Sequence, residues 1–265
     1  MLPLFLPTLA LVASVTAHCT RPQLMEAVDH YIATQRNGSI DSFKTRFDNS
    51  TWQGYFENSK KVEIEAGILS HALNPALNKS LYDTTACATY TELIVNDTSK
   101  PYVRKVDTIV TTTKDWLFNI TGNMYWIPRE NWGPIPEAQR DTRETIKKAA
   151  DAYADLFNNP NVTVPWGNPC TRLEGGLYTA PNDTCNSGVP SGVQLTNRRY
   201  VIDETIGAVD IFLDFGTSKW PDSHEFRVEN GKIRYVHTMT VCGIPNCGVG
   251  NSTAAFWGRK RWLNG

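Results

Sequence analysis

The chain has 265 residues, a net charge of −1 at neutral pH and a composition that is 41% hydrophobic. That length and apolar share suffice for one full core or two small ones, and a charge so near zero gives no electrostatic purchase on nucleic acid. No Gly-x-Ser-x-Gly, His-Glu-x-x-His, phosphate-cradling glycine loop or dinucleotide fingerprint occurs, so nucleophilic hydrolases, zinc proteases and nucleotide enzymes have no motif in their favour. With five histidines, one of them the expected mature N-terminus, a His-rich metal site is not expected, and no cofactor is implied.

Residues 1–17 combine an apolar run with small residues at Val15 and Ala17, the pattern of a signal peptide cut before His18. The run is too short and too interrupted by proline to span a bilayer, so no membrane span is expected after cleavage. Sequons at Asn37, Asn49, Asn78, Asn96, Asn119, Asn161, Asn182 and Asn251 point the same way, to a secreted or secretory-lumen glycoprotein with these asparagines at the surface. The six cysteines, Cys19, Cys87, Cys170, Cys185, Cys242 and Cys247, include no Cys-x-x-Cys pair. Three disulfides are expected in an oxidising compartment, out of fifteen conceivable pairings. The turn composition of Gly243-Ile-Pro-Asn246 favours a Cys242–Cys247 bridge, with Cys170–Cys185 and Cys19–Cys87 to follow.

In chain order, Arg21-Pro22 opens a helix carrying Leu24, Val28, Tyr31 and Ile32 at helical spacing, and Asn37-Gly38 ends it. Strands are predicted at Lys61–Glu65, Glu92–Val95 and Val103–Val110. A joint rich in Pro, Gly and Trp spans 126–136. A second helix follows from a capping-box pattern at Asp141–Glu144, with Ile146, Ala149, Ala150, Tyr153, Ala154 and Phe157 as one stripe, and stops at Asn158-Asn159-Pro160. Further strands lie at Arg199–Asp203 and Ala208–Phe215, and a hairpin at His224–Met239 turns on Asn230-Gly231.

A helix, an irregular crossing and several antiparallel strands thus occur twice. This predicts an α+β fold of two pseudo-repeated cone-like halves, each a curved antiparallel sheet wrapped around helices. The divisions are 1–17 signal peptide, 18–136 first half, 137–250 second half and 251–265 tail, whose Arg259-Lys260-Arg261 cluster reads as solvated.

The runs Val164–Tyr178, Arg198–Glu204, Gly207–Phe212 and Pro221–His237 resemble a fungal secreted family with nuclear-transport-factor-like, polyketide-cyclase-like cones; Phe56-Glu57-Asn58 and the helix before it look like the matching part of the first half. The chain is also similar to the hetero-Diels–Alderases of tropolone–sesquiterpenoid pathways. That resemblance implies a cofactor-free lyase or cyclase of secondary metabolism. Such an enzyme would expel water from a hydroxymethyl tropolone polyketide and join the resulting o-quinone methide to a humulene-type terpene. It also implies a deep apolar pocket. The alternative is a secreted binding module that holds a small apolar ligand without turnover; a structural or host-interaction protein is a third reading.

Alternation in the last hairpin puts Ile233, Tyr235, His237 and Met239 on one face, and His224, Phe226 and Val228 together on the facing strand. Both faces are expected to point inward, making His237 and His224 candidate general acids, with satisfied core histidines as the alternative. Tyr200 and Arg199 are candidate donors to a developing oxyanion, and Tyr235, Phe226, Met239 and Phe212 candidate walls for an aromatic or apolar substrate. Glu174 before Gly175-Gly176 reads as a turn residue. The expected partner is a small apolar or aromatic molecule, with a homodimer left open.

Overall fold

A computed structural model describes residues 19–45, 54–95, 107–178, 185–186 and 189–242. The expected signal peptide, Asn49, Asn96, Asn182, Asn251, Cys247 and the basic tail lie outside the described residues.

The chain is α+β. Helix α1 (Arg21–Asn37) starts in a capping box between Thr20 and Gln23 and ends at Gly38, whose left-handed φ of 64° suits a residue without a β-carbon. A short helix α2 (Asp41–Lys44) follows, then β1 (Phe56–Glu57) and β2 (Lys60–Lys61), so of the strand expected at Lys61–Glu65 only Lys61 is in a strand, and a 3-10 turn begins at Ile64. Strands β3 (Pro75–Asp83) and β4 (Ala88–Val95) form an antiparallel hairpin, and β5 (Asp107–Thr108) pairs with β1.

After α3 (Ile120–Trp126), the Pro-rich strap 127–136 leads to α4 (Arg143–Leu156). Thr142, rather than Asp141, is the N-cap of α4, accepting from the Thr145 N–H, while Asp141 instead accepts from the Gly231 N–H of the distant hairpin turn. The remaining strands are β6 (Trp166–Glu174), β7 (Leu177–Tyr178), β8 (Leu195–Asp203), β9 (Ala208–Phe215), β10 (Trp220–Glu229) and β11 (Lys232–Thr240). They make one curved, open sheet in the order β7-β6-β11-β10-β9-β8, with only the β11–β6 pair parallel. The Asn230-Gly231 turn has φ of 52° and 69°, as its composition predicts.

Both faces of this sheet are covered. On one, the α4 stripe of Ile146, Ala149, Ala150 and Tyr153, with Phe157, packs on Val209, Ile211, Leu213, Phe226, Val228, Ile233 and Val236. On the other, Leu81 and Tyr90 of the β3–β4 hairpin meet Ile206 and Ala208, with Trp132 and Phe212 at the margin. The hairpin's own outer side, through Tyr82 and Leu93, is covered by Val28, Tyr31 and Ile32 of α1 and by Ile64, Ile68 and Leu69. The layers are therefore α4, six-stranded sheet, two-stranded hairpin and α1. Among the described residues the first half supplies a hairpin and a three-stranded patch, not a second six-stranded sheet.

Two crossed clamps fix the hairpin to the sheet. Asp83, at the end of β3, accepts from Arg143 Nη1 and Nη2 at 2.7 and 2.5 Å and from the backbone N–H of Ile202 in β8 at 3.2 Å. In return, Asp203 at the end of β8 accepts from Arg21 Nη1 at 2.7 and 2.9 Å and from the Tyr82 N–H of β3 at 3.2 Å. Disulfides Cys19–Cys87, which ties the start of α1 to the β3–β4 turn, and Cys170–Cys185 form as expected, with Cα atoms 5.2 and 5.5 Å apart. Cys242 is also disulfide-bonded, and these bridges fit an oxidising compartment. No helix among the described residues is long and apolar enough to cross a membrane.

Asp83 is fully buried, so replacing it strands backbone donors as well as Arg143. Asp83→Ala is expected to cost roughly 2–4 kcal/mol in urea unfolding, whereas Lys148→Ala, which removes an exposed helical pair with Glu144, should change stability little.

Candidate functional site

The alternation of β10 divides its side chains between two environments. Asp222, His224, Phe226 and Val228 face α4, while Ser223, Glu225 and Arg227 face the β3–β4 hairpin, and all seven are buried. On β11 the register slips between Ile233 and Tyr235. Ile233 therefore joins the α4 core, and Tyr235, His237 and Met239 take the hairpin side. The expectation that His224 and His237 share an interior is thus corrected: both are buried, but on opposite faces of the sheet.

His224 is closed in by Tyr153, Phe157 and Phe226, and its Nδ1 lies 2.7 Å from Asp222 Oδ2. Beside it Arg172 Nε meets Glu174 Oε1 at 2.7 Å, and Thr238 donates to Glu174 at 2.5 Å. Glu174 is accordingly a strand-end ion-pair partner, not a turn residue. Tyr200 also lies on the α4 side, where its hydroxyl donates to Asp151 at 2.6 Å and is already engaged. Arg199 is on the hairpin side, 6.0 Å from the Phe212 ring, with Nη1 donating to the Asn197 carbonyl. Of the residues singled out from sequence, the fold brings His237 and Tyr235 together around one ring, Trp132; it places Phe226 in the α4 core and Phe212 at the edge of the hairpin contact.

The hairpin side holds a compact set of charges. Lys79 and Glu92 are directly opposite on β3 and β4 and point toward the sheet. Lys79 Nζ lies 2.5 Å from Glu225 Oε2, 3.3 Å from Glu92 Oε2 and 3.3 Å from His237 Nδ1. The Trp132 ring caps the ammonium at 3.7 Å. On the far side of the imidazole, Nε2 is 2.6 Å from Glu130 Oε2, which also accepts from Trp132 Nε1 at 2.7 Å. An ammonium has only donors, so Nδ1 must accept from Lys79 and the proton sits on Nε2, donated to Glu130.

Burial works against the Lys79 ammonium, but Glu225 and Glu92 more than offset it and hold its pKa above the ordinary lysine value. Burial also raises Glu225, against the opposing pull of Lys79. For Glu130 burial is outweighed by the His237 imidazole and the Trp132 hydrogen bond, leaving a lowered value. Nearby Asp210 meets only the Ser223 hydroxyl among the described residues, at 2.6 Å, and burial pushes it well above the usual aspartate range.

A depression between the strap and Arg227 holds about 180 Å³ and is lined by Asn131, Pro134, Ile135, Gln139, Arg227 and Glu229, among others. Drug-sized ligand pockets are ordinarily about 300–1,000 Å³. On both faces of the six-stranded sheet the described side chains pack into cores.

Lys79, Glu92, Glu130, Trp132 and Glu225 were not legible as a site. Glu225 and Arg227 alternate with apolar residues and read as a solvated face; only the long-range placement of the hairpin over them buries the charge. The family model for DUF8021, a domain of unknown function, matches residues 139–240, less than half of the chain. No curated protein matches. The matched span contributes Glu225 and His237, whereas Lys79, Glu92, Glu130 and Trp132 come from before it.

Because Asp210 holds its proton more tightly when folded, its share of stability is fully present below the ordinary aspartate range of about 3.9 and is lost as pH rises through the raised value. Glu130 runs the other way: its share is present above about 4.3 and is lost as pH falls through the lowered value. Asp210→Asn, which keeps an acceptor for Ser223, should therefore lose less stability than the wild type between about pH 4 and about pH 7. Denaturation midpoints that stay parallel across that interval would contradict the assignment.

Proposed function

We propose that the protein is a secreted lyase of the dehydrating kind that works with its own side chains, and that the Lys79 ammonium receives the oxygen of the departing hydroxyl. The observation that carries this reading is one positive centre held away from bulk water by two carboxylates, an imidazole and an indole. When a hydroxymethyl group leaves an electron-rich ring, the C–O bond breaks and its electron pair goes to oxygen. The proton that completes the water comes from the substrate's own ring hydroxyl, so no further reactant is consumed. A preoriented ammonium in a low-dielectric setting stabilises that developing charge more than water does, since nothing has to reorganise.

His237 positions the ammonium through Nδ1, and Glu130 fixes the ring that does so. Trp132 covers the ammonium, so a flat substrate gains access when the indole swings aside. Joining the quinone methide to a humulene-type alkene requires room for two partners, and the ammonium bears on loss of the hydroxyl alone. The support therefore extends to the dehydration step.

The purified glycoprotein, incubated with a hydroxymethyl tropolone precursor and hydroxyhumulene, should release the dehydrated product faster than the uncatalysed reaction. Lys79→Met should lower that rate about 10²–10³-fold, the usual effect of removing one oxyanion donor, while Lys79→Arg retains part of it. A wild-type rate equal to background, with mixed adducts, would remove the reading.

A further inference from the structure

The same charged chamber has a property that does not depend on any reaction. We propose that Glu92, Glu225 and His237 form a site for a first-row divalent transition cation such as Mn²⁺ or Zn²⁺, which binds there in exchange with the Lys79 ammonium.

One potential ligand atom from each of the three residues lies within 4.8 Å of the other two, and all three residues are buried. Their contacts already converge on a single cation, because Lys79 Nζ touches Glu225 Oε2, Glu92 Oε2 and His237 Nδ1 together. Ordinary metal–ligand lengths are about 2.0–2.2 Å, so ligand atoms of a trigonal or tetrahedral site stand roughly 3.4–3.7 Å apart. Glu225 Oε2 and His237 Nδ1 already stand 3.6 Å apart, and the widest separation of the triangle has to close by about 1 Å.

The imidazole is prepared for this role. Its Nε2–H is committed to Glu130, which leaves the Nδ1 lone pair facing the cation position. A carboxylate behind a ligating histidine is the outer-shell arrangement that fixes tautomer and ring orientation in metal sites.

An independent sign comes from oxygens without partners. Glu225 is fully buried, and its Oε1 has no hydrogen-bond partner; Glu130 Oε1 is likewise unpartnered. Unpaired buried carboxylate oxygens are costly. Among the described residues, the ion pairs of Glu92, Glu130 and Glu225 go only to Lys79 and His237. Three carboxylates face one ammonium and one imidazole, and a divalent ion supplies further positive charge.

Lys79 can make way. Its side chain is 13% exposed, and a four-carbon stem lets an ammonium withdraw toward solvent while its methylenes stay packed. Two carboxylate oxygens and one imidazole nitrogen suit Mn²⁺ or Zn²⁺ better than the all-oxygen shells of Ca²⁺ and Mg²⁺.

The test is titration of the chelator-treated full-length glycoprotein with Co²⁺, followed by calorimetry and by the visible absorption of the bound ion. One ion per chain is expected in the wild type. Lys79→Met, which removes the competitor, should bind at least about tenfold more tightly and recover with Co²⁺ the melting temperature that it loses without metal. Glu225→Gln and His237→Gln should each abolish the stoichiometric ion. The proposal is overturned if the wild type takes up no ion at millimolar Co²⁺, even where Lys79→Met does, or if uptake survives both ligand substitutions. Should Lys79→Met fail to fold, the two ligand substitutions in the wild-type background decide alone. These readouts involve no substrate, so failure of the dehydration assay leaves them untouched.

Discussion

A carboxylate in the middle of a sheet that is covered on both sides must be met by a cation, and Glu225 is in that position. Transfer of an isolated charge into a protein interior costs several kcal/mol even after relaxation, and a well-placed partner recovers it. Here the partner arrives on another layer. Lys79 is carried in by the β3–β4 hairpin, whose sheet-facing side alternates Lys79, Leu81 and Asp83 and so delivers one cation, one apolar contact and one clamp. The reciprocal bonds of Asp83 and Asp203 then hold the hairpin in the register that puts the ammonium over Glu225. Charge pairing and the position of the layers are one arrangement.

The elements governed by neighbouring residues were readable in advance. Arg21-Pro22 and Asn37-Gly38 bound α1, the stripe from Ile146 to Phe157 faces the core, and Asn230-Gly231 turns the last hairpin, each through interactions a few residues long. What alternation could not reveal was the second cover on the sheet. A strand such as β10, reading His-Glu-Phe-Arg-Val-Glu, looks half-solvated, yet it is buried from Asp222 to Val228 because a segment more than a hundred residues earlier lies over it. The slip at Ile233–Tyr235 was equally hidden, since one extra residue in a strand leaves no compositional trace and reverses which side chains share a face.

Two ionisable clusters occupy the two faces of the sheet and differ in what they leave unfinished. Under α4, Arg172 and Glu174 pair with each other and Thr238 caps the carboxylate, among closely packed rings. That set reads as reinforcement of the interior. On the hairpin side three carboxylates, Glu92, Glu130 and Glu225, gather around Lys79 and His237, and the Trp132 indole lies on the ammonium. Carboxylate oxygens left without partners, Glu130 Oε1 and Glu225 Oε1, lie in this cluster beside the ammonium.

The boundary of the matched domain acquires a meaning from this. Residues 139–240 contain the whole six-stranded sheet and α4, but the groups that neutralise or orient Glu225 and His237 come from before that span. A relative sharing only this module would leave Glu225 without Lys79 and His237 without Glu130 on one side of its sheet. Such a carboxylate has to be bathed in solvent, replaced by an apolar residue or covered by some other basic strand. The module is therefore electrostatically open-ended, and the segment attached upstream decides what chemistry the shared scaffold can host.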